Sequence, residues 1–213
     1  MPEDEYDSFK ELAIQDFLDS LEQELYLDNK ETALYEFMRE RLKSYYVKNR
    51  SLGVQSLEFI RKSEALISGD PSASLIYSSI ATEVIIKSVL LKPIVYGLVI
   101  NDFFAELVSG LVVKQSGLDR FRNLLFAIVG SVDELSIDLS SYVRSGSTTT
   151  LWKEREIIQG VRNALMHKAE ECTEEMAGLS NLVAMEFWHL ANSLVEVMGL
   201  RIDSDGKITV PEI

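Results

Sequence analysis

Cysteine is almost missing from this chain: Cys172 stands alone, which excludes an internal disulfide framework and any cysteine-based zinc site. Histidine is nearly as scarce, with only His167 and His189, so neither a metal centre nor another cofactor is expected. Eleven glycines and four prolines in 213 residues fall well below the roughly 12% of average usage. That scarcity argues against a turn-rich all-β fold and against a disordered chain. No uncharged apolar run approaches the ~18 to 20 residues of a membrane span. Residues 84–100 come nearest, and Lys87, Lys92 and Pro93 interrupt them. The opening Met1-Pro-Glu-Asp-Glu5 has neither the basic nor the apolar region of a secretory leader, so a cytoplasmic protein with no membrane partner is expected.

Positive charge is also in short supply, 21 basic against 34 acidic residues, a formal net charge of −13. A field of that sign does not draw nucleic acid to the whole molecule. The distribution is uneven, however. Residues 1–50 carry 13 acids and 7 bases, and residues 170–199 carry 6 acids and no base. Residues 144–168 are locally basic (Arg144, Lys153, Arg155, Arg162, Lys168 against Glu154 and Glu156), as are 114–122 (Lys114, Arg120, Arg122 against Asp119). Two basic patches on an acidic protein suggest a small anionic target in a cleft rather than a long duplex laid across the surface.

What is present in abundance is helical periodicity. Phe9, Leu12, Phe17, Leu18, Leu21 and Leu25 recur at three- and four-residue spacing, as do Leu34, Phe37, Met38, Leu42 and Tyr45. Asp28-Asn29 is placed to separate these two helices. A third helix is expected over about 52–66, stopping at Ser68-Gly69. Asp70-Pro71 then combines an N-cap acid with proline in the first turn. The helix it opens is apolar on nearly every side, from Leu75 to Leu91, as suits the centre of a bundle. Further helices are expected near 102–114, 118–129 and 132–143, the last opened by a capping box from Ser131 to Glu134. Ser145 to Thr150 reads as a loop, followed by helices near 151–169 and 173–199, the second capped by Thr173. The tail 201–213 suits a short hairpin on Asp205-Gly206 or an irregular end. It imitates a calcium loop only in part, because Arg201 holds the first ligand position and Pro211 blocks an exiting helix. The fold class is therefore all-α: an extension over 1–50, a helical domain over 51–200 and the tail.

The stretch richest in chemistry runs from Trp152 to Ala169. Helical projection places Ile157, Ile158, Val161, Ala164 and Leu165 on an apolar face, and Arg155, Gln159, Arg162, Asn163 and His167 opposite. Asn163 and His167 are neighbours at i,i+4. Arg162 and His167 lie about 140° apart around a helix of 3.6 residues per turn. They converge only if the arginine reaches sideways, the helix ends between them, or a second chain completes the site.

Arg162-Asn163-Ala-Leu-Met-His167 resembles the signature of HEPN domains, an arginine followed by histidine four to six residues later, often with asparagine after the arginine. The context is similar too: a late helix in an all-α bundle, after an apolar central helix carrying an acid, Glu83. The resemblance covers roughly residues 52–199. It implies a metal-independent endoribonuclease acting as a homodimer, in toxin, antiphage or RNA-processing roles with a possible antitoxin or defence-system partner. In that chemistry the ribose 2′-hydroxyl attacks the adjacent phosphate and leaves a 2′,3′-cyclic phosphate. His167 would move protons, Arg162 would hold the phosphate, and Asn163 would support one of them. Arg155, Gln159 and Lys168 are candidates for contacts with the RNA backbone. Glu83 either pairs with Lys87 four residues on or faces His167 as part of the substrate site. The position two residues after the histidine is Ala169, so control by adenylylation of a tyrosine there is excluded. His189 is expected to be a half-buried, satisfied residue. The alternative to a nuclease is a HEPN-like module that binds RNA or a nucleotide without cleaving it, or serves as a subunit of a larger assembly.

Overall fold

The structure is a computed structural model that describes Ala33 and residues 36–99, 101–114, 118–130, 132, 135 and 137–211. The helix expected over residues 9–25, its stop at Asp28-Asn29 and the Ser131–Glu134 capping box lie outside the described residues. Two compact units divide the chain, Met1–Glu40 and Arg41–Ile213. Of the first, Ala33 and residues 36–40 are described, and they are helical.

The second unit is an all-α bundle. Its first helix, α1, comprises residues 41–48 and buries Leu42, Tyr45 and Tyr46. Then come α2 (Val54–Leu66), α3 (Pro71–Val84), a π-helical turn (Ile85–Leu91) and α4 (Lys92–Leu98). Asp70 opens α3 as its composition demands, accepting the Ala73 amide at 3.0 Å, with Pro71 in the first turn. Pro71–Leu98 is one continuous helix, long and apolar enough to cross a bilayer, but 67% of its most apolar stretch is buried inside the fold. That burial is what a core helix requires.

The π turn has a local cause. Pro93 has no N–H, so the Val89 carbonyl four residues earlier loses its α-helical donor, and the proline ring crowds that carbonyl. Widening the helix relieves the crowding, and the buried Tyr46 hydroxyl donates to the Val89 carbonyl at 2.8 Å. Burial pushes the Tyr46 phenol far above its ordinary value, so it remains a donor.

Beyond α4 come α5 (Asp102–Lys114), a 3-10 turn (Leu118–Phe121), α6 (Arg122–Gly130), α7 (Leu151–Lys168) and α8 (Glu174–Val197). Thr150 and Thr173 cap the last two, accepting the amides of Lys153 and Met176. α3 packs against α2, α7 and α8. α8 is itself a core helix, with one face buried from Ala177 to Val195. Small hydroxyl residues line the α2–α3–α8 seam: Ser63 meets Ser74 at 3.1 Å, and Ser78 meets Ser180 at 2.5 Å. α5 presents Phe103, Phe104, Leu107 and Leu111 outward.

The helix expected over 132–143 does not form over its described C-terminal half, where residues 137–143 are turn and irregular backbone. Asp138 explains the difference. Its carboxylate accepts the Ser140 amide and hydroxyl, each at 2.9 Å, and the Ser141 hydroxyl at 2.8 Å. Such local side-chain bonds offer the backbone an alternative to the helical ladder.

The tail forms the hairpin, β1 (Arg201–Ile202) against β2 (Ile208–Thr209), antiparallel. Asp203 Oδ1 accepts the amides of Asp205 and Lys207 across the turn. The hairpin is anchored on the turn between α1 and α2, where the Ile208 amide donates to the Arg50 carbonyl at 2.8 Å. Gly206, at φ 81°, lies so near Gly53 that a β-carbon on either would fall within 2.9 Å of the other's backbone.

Candidate functional site

α7 positions every residue of the sequence motif. Its buried stripe at the N-terminal end is Leu151, Trp152, Glu154, Arg155 and Ile158. Two expectations are corrected by that stripe. Ile157, assigned to the apolar face, is exposed at 42%, and Arg155, assigned to the polar face, is buried. The reason is charge compensation: Arg155 donates to Asp119 Oδ1 at 2.6 Å and lies 5.2 Å over the Trp152 ring. The RNA-backbone contact considered for it would require Arg155 to exchange Asp119 for a phosphate oxygen. Glu154, buried one residue earlier, accepts a two-pronged bond from Arg144 at 2.8 and 3.0 Å and the Ser147 hydroxyl at 2.7 Å. These bonds tie the 144–150 loop to α7.

Arg162 lies seven residues beyond Arg155, on the same stripe, and is only 27% exposed. It reaches across to α3, where its guanidinium donates to Glu83 Oε2 at 3.4 Å. The other oxygen of Glu83 accepts Lys87 Nζ at 2.7 Å. Of the two roles open to Glu83, its contacts are those of the ion pair: it joins Lys87 and Arg162. Burial pushes the Glu83 carboxyl up, but the Lys87 hydrogen bond and the charges of Lys87 and Arg162 outweigh it and hold it below its ordinary value. Ser79, Thr82 and Glu83 of α3 line a shallow pocket with Arg155, Ile158 and Gln159 of α7.

Asn163 and His167 sit on the other side of the helix, both exposed. Asn163 Oδ1 accepts from Gln159 Nε2 at 3.0 Å, so the i,i+4 partner it takes is the one before it, not His167. His167 makes no hydrogen bond or ion pair among the described residues. Lys168 is exposed, 3.7 Å from Glu170. Ala169 ends the helix in the left-handed conformation, φ 53° and ψ 36°. His167 therefore occupies the last turn, beside the free carbonyls of the helix end. His189, expected to be half-buried, is exposed on α8 with Nδ1 4.0 Å from Glu186 Oε2.

One feature of this helix was not legible in the motif. Each cation of the 144–168 patch has an acidic neighbour: Arg144 with Glu154, Lys153 with Glu156, Arg155 with Asp119, Arg162 with Glu83, Lys168 with Glu170. Charge counting along the chain misses this because Glu83, Asp119 and Glu170 lie outside the segment. Among the described residues no group of three His, Cys, Asp or Glu side chains is placed to hold a metal ion. Comparison with family models, with curated proteins and with solved structures returns no match to this chain.

Proposed function

We propose that the chain is an RNA-directed module of HEPN type whose working surface is the C-terminal end of α7, and that it cleaves RNA without a metal. The observation that carries the reading is the placement of the motif at the bundle surface, with His167 exposed and unengaged on the final turn. A histidine so placed is accessible to a strand and can exchange protons with it. Cleavage forms a bond from the 2′-oxygen to phosphorus as the bond from phosphorus to the 5′-oxygen breaks. One group takes the 2′-proton and another returns a proton to the 5′-oxygen. The products are a 2′,3′-cyclic phosphate and a 5′-hydroxyl. His167 serves one proton transfer, and in a homodimer the second copy of the motif serves the other. Arg162 grips the phosphate when it exchanges Glu83 for a phosphate oxygen. The toxin or antiphage setting rests on the resemblance alone.

A second reading, binding without cleavage, is favoured by the pairing of Arg162 with Glu83 and by the neutralised cations along α7. Incubating labelled RNA with wild type, Arg162→Ala and His167→Ala in the presence of EDTA separates the two. The nuclease reading expects fragments with cyclic-phosphate ends from wild type and a loss of at least about 100-fold in both variants. Bound but intact RNA with wild type establishes the second reading, and equal cutting by all three removes the site assignment.

A further inference from the structure

The two basic patches of the sequence meet at a second place, near the opposite end of α7. A cleft of about 370 Å³ lies between the start of α6 and the start of α7. Arg122 comes to it from the 114–122 patch and Lys153 from the 144–168 patch, joined by Asn123, Phe126, Trp152 and Glu156. Lys153 is nine residues from Arg162, about 14 Å along the helix at 1.5 Å per residue. The motif and this cleft are separate places.

Two observations point to a ligand. First, Arg122 makes no hydrogen bond among the described residues: its approach to Glu156 is a loose 3.6 Å, while Lys153 lies 3.0 Å from the other oxygen of the same carboxylate. One carboxylate thus stands between two cations and leaves the arginine fork open. Second, neutral donors converge here, the Asn123 amide and the Thr150 hydroxyl in the same wall. The cleft has the size of a small-molecule site.

We infer that this cleft binds a small phosphate monoester, a sugar phosphate or a free nucleotide, with Arg122 and Lys153 holding the phosphate. A phosphate presents three acceptor oxygens and about two negative charges, enough to engage both cations and the neutral donors together. The ligand competes with Glu156 for the cations, and Phe126 is the ring in the wall beside which a base would lie. Removing the negative charge of Glu156 therefore strengthens binding.

Calorimetric titration of the full chain with ribose 5-phosphate and with adenosine 5′-monophosphate tests this. At least one monoester binds wild type, Arg122→Ala and Lys153→Ala each weaken it at least tenfold, and Glu156→Gln tightens it several-fold. Tighter binding of the adenosine monophosphate assigns the Phe126 contact, and equal binding of both assigns recognition of the phosphate alone. No binding of either at millimolar concentration overturns the inference, as does binding that survives both cation variants. Binding abolished by Arg162→Ala and retained by Arg122→Ala moves the phosphate to the motif and also overturns it.

Discussion

Ala169 is the one described residue other than glycine with a positive φ, and it sits two positions after His167. An L-residue with a β-carbon pays for the left-handed region in crowding against the following carbonyl, whereas glycine enters it freely. Ala169→Gly is expected to stabilise the protein by about 0.5–1 kcal/mol despite the extra freedom glycine adds to the unfolded chain. Thermal unfolding checks it, and a lowered midpoint contradicts the cap assignment. At the same scale, Arg155 shows where reading residue types runs out. The sequence places it with Gln159, Arg162 and Asn163 because an unpaired charge avoids burial. Its partner Asp119 lies 36 positions away, on an element whose packing no local pattern reveals. Arg162 and Glu83, 79 positions apart, repeat the lesson. The direction in which Arg155 and Arg162 face was decided by long-range ion pairs, which the spacing of residues along the chain does not show.

Among the elements, the apolar central helix is the one whose internal irregularity matters most. Pro93 removes the donor for the Val89 carbonyl, and Tyr46 from α1 replaces it inside a closed core. Tyr46→Phe keeps the ring and leaves that carbonyl without its hydroxyl partner, so a loss of about 1–3 kcal/mol is expected from the unsatisfied group. Urea unfolding measures it, and an unchanged midpoint would show that the turn is satisfied another way. Helix starts were legible wherever a cap residue preceded an apolar-periodic run: Asp70, Thr150 and Thr173 all accept the amide three residues on. The segment around Asp138 was misread because its apolar residues suited a helix while its serines and aspartate supplied a competing set of turn bonds. The π turn carries no sequence signal beyond Pro93.

For the molecule as a whole, the all-α class followed from scarce glycine and proline together with persistent three- and four-residue spacing, and the bundle bears it out. The apparent basicity of 144–168 did not translate into a free positive surface, because acids from α3, the 3-10 turn and the α7–α8 junction meet those cations. RNA attraction at long range is correspondingly weak for a chain of net charge −13. On the reading proposed above, recognition of RNA at the end of α7 depends on short-range contacts in which the strand displaces Glu83 from Arg162 and meets His167 directly.

That contact can be observed without relying on turnover. The chain has only two histidines, and both are exposed, His167 on α7 and His189 on α8. Their imidazole Hε1 signals form a two-line nuclear magnetic resonance spectrum, assigned by His167→Gln and His189→Gln. Titration with a 2′-O-methyl RNA oligonucleotide, which cannot undergo 2′-hydroxyl attack, is expected to shift the His167 resonances and leave those of His189 in place. Resonances that both stay fixed at saturating oligonucleotide, or a shift confined to His189, would contradict the placement of the RNA site at the end of α7.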